Sequence, residues 1–324
     1  MKYAFFTDQA HRFESVYAGP REAALRAEFD FLPGVLTSEE LDACAEGFPE
    51  LEVIFTTWGM PELRPDQLAK LPALKAVFYA AGSVKKFAAP LLESGVVVCS
   101  AWRSNAVPVA EYVVGHILLA CKGFFRNSAA LRGPSAVEWR TDSPHGPGIY
   151  GQRVAFLGLG AIAQKTMELM KPYALEAVPV ASRAERREVS LEEAFRTCLV
   201  VSNHLPDRVD NKGILNADLF RLSPRGATFI NTGRGGQVNE GDLVQVWKER
   251  PDLTAILDVT APEPPPLDSA LRELPNIHLS SHIAGSICDE IYRMTDEMIA
   301  EHERWRSGQA LKNQVTREVF ESMA

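Results

Sequence analysis

Gly158, Gly160 and Ala163 fall in the pattern GxGxxA within Gly158-Leu159-Gly160-Ala161-Ile162-Ala163. The run directly follows the apolar Val154-Ala155-Phe156-Leu157 and opens a stretch of helical composition. A strand, a glycine turn and a helix in that order can bind a dinucleotide. The first glycine permits the turn, the second lets pyrophosphate approach the backbone, and the alanine keeps the helix close to the strand. Unpaired N–H groups at the helix start meet the phosphates. A ligand-free tight turn would select the same glycines, so the flanking elements carry much of the reading. An acidic residue for the adenosine ribose hydroxyls is expected about 20 residues on, at the end of the next strand. That place reads Ala181-Ser182-Arg183, while Glu176 is acidic but precedes the expected strand. A missing carboxylate removes repulsion against a 2′-phosphate, and Ser182, Arg183 and Arg186 can donate to one. The alternative is that Arg183, Arg186 and Arg187 are solvated loop charges.

The elements that must position this turn alternate along the chain. Short β-branched or apolar runs at 3–6, 53–55, 76–79 and 96–98 are separated by helical composition, which predicts a small parallel sheet. A long apolar stretch over 107–121 contains Glu111 and His116 as its only residues from among Asp, Glu, Lys, Arg and His, and is shorter than the roughly 20 residues of a membrane span. It reads as a buried or interface helix, followed by a connection over 133–151. A second alternating series has strands at 154–157, 178–181, 199–201, 228–230, 255–259 and 277–279, the number and spacing of a doubly wound nucleotide-binding sheet. Residues 288–306 carry Ile291, Met294, Met298 and Trp305 among charges, the pattern of an amphipathic helix. Three polar segments follow late strands: Asn231-Thr232-Gly233-Arg234-Gly235-Gly236, Pro262-Glu263-Pro264, and Ser281-His282-Ile283-Ala284-Gly285-Ser286. Ligands of open α/β sheets bind at that edge.

Composition bounds the function. The 324 residues suffice for about two domains with their own cores, and 46% hydrophobic with 23% charged residues is an ordinary globular balance. A formal charge of −8 argues against non-specific attraction to nucleic acid or anionic membrane. Cys44, Cys99, Cys121, Cys198 and Cys288 are scattered without a CxxC pair, which argues against a disulfide framework or zinc ribbon. Asp8 interrupts the amino-terminal apolar run before it reaches the length of a leader's core, so export is not expected. The expected compartment is a reducing cytoplasm, with no metal cofactor.

The polar segments, taken with GLGAIA, resemble the D-isomer-specific 2-hydroxyacid dehydrogenases, of the glyoxylate and hydroxypyruvate reductase kind. The resemblance covers nearly the whole chain, most clearly from Asn105-Ala106-Val107-Pro108-Val109-Ala110-Glu111 through Ala284-Gly285. Its most specific parts are INTGRGGQVNEGDLV and LPNIHLSSHIAGS. It implies that Arg234 binds the substrate carboxylate and carbonyl oxygen, for which a permanently charged fork is suited. It implies that His282 is the general acid/base, and that Glu263 pairs with it, orienting the ring and favouring its protonated form. Asp258 matches an aspartate that meets the nicotinamide carboxamide; a strand-end carboxylate capping backbone N–H groups is the other reading. His204, Leu205 and Pro206 match a segment beside the cofactor, with His204 as a wall residue, and Thr232, His282 and Gly285 complete the implied cofactor set. Ala81, Gly82 and Ser83 match a loop whose N–H groups hold the substrate carboxylate. There this chain departs from the family, with Val84-Lys85-Lys86 where an acidic residue or asparagine is usual. Trp102 and Arg103 line the pocket or lie at an interface.

What the resemblance implies is an α/β protein of two doubly wound parallel-sheet domains with a cleft between. Residues 1–101 and 288–324 would form a smaller flavodoxin-like substrate domain, and 102–287 a Rossmann NAD(P)-binding domain. The expected activity is hydride transfer between a nicotinamide cofactor, NADP(H) favoured over NAD(H), and a small 2-keto acid or D-2-hydroxy acid. A homodimer is expected through residues 107–125. Two alternatives are a relative acting on another small anion such as formate or phosphite, and a nucleotide-sensing regulator or corepressor of the same fold. The formate branch normally departs from the glutamate found at Glu263.

Overall fold

The structure, a computed structural model, describes residues 1–132 and 144–323. Residues 133–143, most of the connection expected over 133–151, lie outside the described residues. The chain divides into two compact units, one of Met1–Asn105 with Ser286–Met323 and one of Ala106–Gly285.

The first unit is a five-stranded sheet of β1 (Lys2–Phe5), β2 (Asp30–Phe31), β3 (Leu51–Thr56), β4 (Ala76–Tyr79) and β5 (Val97–Ser100), in the order β2-β1-β3-β4-β5. Every pairing is parallel, and alternate residues of β1, β3 and β4 enter two separate apolar clusters, as in a sheet covered on both faces. The order is that of a flavodoxin-like sheet. Strand β2 has no counterpart in the sequence expectations, since two residues are too short to show alternation. The expected amphipathic helix runs over Ile291–Arg306, after a single 3-10 turn at Cys288–Glu290. Its Met294 and Met298 pack among Tyr3, Phe5, Phe55 and Phe78. Glu301, fully buried on the same helix, accepts the N–H groups of Lys312 and Asn313 at 2.9 and 3.0 Å and turns the chain back. Returning, Asn313 and Val315 bond to Ser100 and Val98, which covers the edge of β5.

The second unit has β6 (Gln152–Leu157), β7 (Leu175–Val180), β8 (Val200–Asn203), β9 (Thr228–Asn231), β10 (Thr254–Leu257) and β11 (Ile277–Leu279), in the order β11-β10-β9-β8-β6-β7. All pairings are parallel. The chain moves outward from β6 to β7 and then returns to the other side of β6 as β8. The β6/β8 boundary is therefore the switch point, where the ends of strands open a crevice. Strand β7 starts earlier than the expected 178, so Glu176 lies inside it rather than before it and pairs with Arg153 at 3.1 Å. Pro179 is tolerated because β7 is an edge strand. The apolar stretch over 107–121 belongs to a 21-residue helix, Trp102–Lys122, longer than expected. It has the length and composition to cross a membrane, and half of that apolar window is buried inside the protein. Its Val113, Ile117 and Cys121 pack against Val154, Phe156, Ile230 and Ile256.

In the first unit His302 is buried, with its ring centroid 5.0 to 5.4 Å from those of Tyr3, Phe29, Phe55 and Phe78. Its Nε2 is 3.2 Å from the Tyr3 hydroxyl, and burial pushes its pKa down to about 4. The unfolded chain, with an ordinary histidine near 6.5, therefore takes the proton first. Stability that depends on neutral His302 is full above pH 6.5 and is lost as the pH falls toward 4, by roughly 3 kcal/mol at 1.4 kcal/mol per unit. Thermal melts between pH 7.5 and 4.5 should show His302→Leu with a shallower loss of Tm on acidification than the wild-type protein. Parallel curves would remove His302 from the acid response.

Candidate active site

The glycine turn leaves β6 at the switch point. Gly158 has φ +90°, and a Cβ there would lie 2.5 Å from the His204 carbonyl oxygen, so only glycine lets the turn pass the end of β8. Gly160 caps the helix Ala161–Met170 with no side-chain acceptor for the first-turn N–H groups, and a Cβ on it would meet nothing within 4 Å. Leu159 is partly exposed, Ala161 and Ile162 are half-buried, and Ala163 is buried against the sheet. Alongside, His204 is buried with Nε2 2.9 Å from Ser202 Oγ, and its Nδ1 has no partner among the described residues. Burial pushes His204 down to about 3, which keeps it neutral near pH 7. Thr232 Oγ1, at the end of β9, is also buried without a described partner. Uncapped helix N–H groups, open space at Gly160 and these two orphaned polar atoms suit the phosphates and polar edges of a dinucleotide.

At the end of β7, Arg187 donates to the Ala181 and Ser182 carbonyls at 2.9 and 3.0 Å and so shapes the turn. Arg183 and Arg186 are exposed, with no carboxylate at ion-pair distance among the described residues.

Arg234, Glu263 and His282 follow the neighbouring strands β9, β10 and β11. Arg234 is half-buried, its guanidinium donates to the Gly233 carbonyl at 2.8 Å, and no described carboxylate pairs with it. His282 Nδ1 lies 2.6 Å from Glu263 Oε1, which leaves Nε2 without a partner among the described residues. A carboxylate on one ring nitrogen fixes the imidazole's orientation and frees the other nitrogen for proton exchange. His282 takes φ +58°, a left-handed conformation that costs a non-glycine residue energy and has to be held by its surroundings. Asp258 holds it. This buried carboxylate accepts from Ser280 Oγ at 2.7 Å and from the N–H groups of Ile283 and Ala284 at 2.8 and 3.0 Å. The Asp258 carbonyl also accepts the His282 N–H at 3.1 Å. Gly285 follows, half-buried.

Leu205 and Pro206 continue from His204, with Leu205 buried. Ala81, Gly82 and Ser83 belong to the first unit, at the carboxyl end of β4. There Ser100 Oγ donates to the Ala81 and Gly82 carbonyls, and the N–H groups of all three loop residues have no acceptor among the described residues. Arg103 stacks on Trp102 in the same unit, its guanidinium carbon 4.5 Å from the ring centroid. Among the described residues no three His, Cys, Asp or Glu side chains cluster as a metal site would require.

Strand ends beside a topological switch point that carry an arginine and a carboxylate-held histidine have the groups, in the place, expected of a dinucleotide-dependent α/β protein. The sequence model of the D-isomer specific 2-hydroxyacid dehydrogenase NAD binding domain matches residues 114–284, and the chain belongs to that family. It is 26% identical over 310 residues to the glycerate dehydrogenase of Methylorubrum extorquens, covering 91% of this chain and 94% of that one. With the D-3-phosphoglycerate dehydrogenase of Methanocaldococcus jannaschii the identity is 25% over 276 residues, 82% of this chain. The match spans about half of that longer protein, 51%. Among solved structures, a phosphoglycerate oxidoreductase from Rhizobium etli superposes with a TM-score of 0.78 at 19% identity, over 98% of both chains, which is a likeness of fold.

Sequence reasoning missed Tyr112, Ser280 and Glu240. Because Ser280 donates to Asp258, the Tyr112 hydroxyl 2.8 Å away is the donor to Ser280, and burial, which raises its pKa, keeps that hydroxyl protonated. Glu240 accepts the Ala261 N–H at 2.7 Å and anchors the loop that carries Glu263; burial raises its pKa too. A polar tip on an apolar helix was the only sequence signal for Tyr112, and its partner lies 168 residues away. Gly235 packs against the same loop: a Cβ there would come 2.0 Å from the Thr260 carbonyl carbon. Gly235→Ala should displace the Glu263 loop and lower turnover by about tenfold to a hundredfold with only a modest fall in Tm. Steady-state rates at matched folded fraction check this, and rates within twofold of wild type would show that the loop absorbs the methyl group.

Proposed function

We propose that the protein is an NAD(P)-dependent oxidoreductase that reduces a small 2-keto acid to the D-2-hydroxy acid and runs the reverse reaction. The observation that carries this reading is the 2.6 Å bond between His282 Nδ1 and Glu263 Oε1, on the same sheet edge as an arginine with no carboxylate partner among the described residues. Gly158, Gly160, His204, Thr232 and the start of the helix Ala161–Met170 would hold the dinucleotide. Bound NAD(P)H supplies the hydride. Arg234 binds the substrate carboxylate, and His282 gives a proton from Nε2 to the carbonyl oxygen and takes it back in the reverse direction. NADP(H) is favoured over NAD(H); exposed Arg183 and Arg186 near Ser182, with no acidic residue at the end of β7, support this. A homodimer through the helix Trp102–Lys122 and its successor is supported by the exposed Leu119 and Phe124. Five free cysteines and a charge of −8 favour a cytoplasmic setting without nucleic acid or membrane partners.

Loss of reduced-nicotinamide absorbance with a panel of 2-keto acids from glyoxylate to bulkier acids tests the activity. NADPH should show the higher kcat/KM, and Ser182→Asp should shift the preference toward NADH by about tenfold. A wild-type ratio favouring NADH would overturn the cofactor preference. Cofactor binding without turnover of any keto acid would point to a nucleotide-sensing regulator instead.

Glu263→Gln keeps the shape of the side chain but removes the carboxylate charge beside His282 Nδ1. Its kcat should fall by about tenfold or more while the NAD(P)H dissociation constant stays within twofold. An unchanged kcat would exclude Glu263 from proton transfer.

A further inference from the structure

Beneath the ends of β8 and β9 lies a cluster of three amide side chains, Asn203, Asn231 and Gln237, each at most 1% exposed. Gln237 uses every hydrogen-bonding position of its amide. Its Nε2 donates to the Leu205 and Pro206 carbonyls at 2.7 and 3.0 Å. Its Oε1 accepts from Asn203 Nδ2 at 2.6 Å and from the Arg234 N–H at 3.2 Å. The orientation is forced, since two carbonyl oxygens require the nitrogen to face them. Asn203 Nδ2 also donates to Asn231 Oδ1 at 2.9 Å, and Asn231 Oδ1 accepts the Gly233 N–H at 3.1 Å. Gly233 makes room for the cluster: a Cβ there would stand 2.8 Å from Gln237 Oε1 and 2.9 Å from Asn203 Nδ2.

We propose that Gln237 is a positioning residue whose single buried amide locks residues 204–206, which flank the glycine turn, to the backbone of Arg234, so that cofactor and substrate affinity depend on the same side chain. The substrate half rests on Arg234 binding the keto acid, as proposed above; the cofactor half does not. Apolar side chains would fill the same space, but they would leave the Leu205 carbonyl and the Arg234 N–H without partners among the described residues, while the Pro206 carbonyl would keep the Arg208 N–H and Asn211 Nδ2. Buried amides in a closed set fix one geometry where apolar packing would allow several.

Two variants separate positioning from bulk stability. Gln237→Glu keeps the size and the Oε1 acceptor but turns the group facing Leu205 and Pro206 into an acceptor. Gln237→Met keeps the length and removes all four bonds. Dissociation constants for NADPH and NADH by fluorescence titration, kcat and KM for the best keto acid, and Tm are measured for both. The expected result is a cofactor dissociation constant raised about tenfold in each variant, with keto-acid KM raised about tenfold and kcat changed less. In Gln237→Glu the cofactor affinity should recover as the pH is lowered from 8 to 5.5, because a protonated carboxyl regains a donor; Gln237→Met should show no recovery. Folded variants with dissociation constants and KM within twofold of wild type overturn the proposal, as does the same pH dependence in both variants. If neither variant folds, Asn203→Leu, which removes a donor to Gln237, is held to the same twofold criterion. Arg234→Lys keeps the two readings apart. An unchanged keto-acid KM in that variant defeats the substrate assignment, while the cofactor dissociation constants of the Gln237 variants still decide whether the amide sets residues 204–206.

Discussion

One buried carboxylate organises the strand-end edge of the second unit that carries His282. Asp258 leaves a strand whose residues are all buried, so its charge is stable there only with donors around it, and residues 280–284 supply three. Those bonds bend the chain tightly enough to put His282 in the left-handed region, and the bend leaves its Nδ1 facing Glu263. The strain at His282 and the burial of Asp258 are thus two sides of one arrangement. Tyr112 extends it through Ser280 to the long helix, so the geometry of the histidine loop also depends on how that helix packs on the sheet.

Around that carboxylate, backbone contacts that only glycine permits set the spacing between loops. Gly158 brings the glycine turn against the end of β8, Gly233 accommodates the amide cluster, and Gly235 brings the arginine loop against the start of the glutamate loop. Each loop leaves a different strand of one parallel sheet, and the register of the sheet brings their starting points level. The sheet provides the alignment and the glycines provide the closeness. Arg234, Glu263 and His282 are then held within a frame that tolerates little added volume.

The first unit solves a different problem with different materials. Its core is dense in aromatic rings, and a neutral histidine sits among them with one nitrogen near a tyrosine hydroxyl. The carboxyl-terminal helix supplies that histidine and also Glu301, whose buried carboxylate turns the chain onto the edge of β5. Sequence-distant segments are therefore tied into one core by polar groups that only burial makes strong.

The sequence by itself determined the alternation of strand and helix, the position of the glycine turn, and the polar segments at the ends of the late strands, because these depend on local periodicity and on residue types with narrow conformational uses. It also placed the amphipathic helix before the carboxyl terminus, from spacing alone. Tertiary structure decided what periodicity does not encode. Strand β2 exists because Lys2 and Tyr3 are there to pair with it, and Glu176 became part of an edge strand because Arg153 lies opposite. The links from Tyr112 to Ser280, from Glu240 to Ala261, and among Asn203, Asn231 and Gln237 span 168, 21 and up to 34 residues. Hydrogen bonds of that kind carry no local signal: each polar side chain reads as an ordinary one until the fold removes water and brings its distant partners within reach.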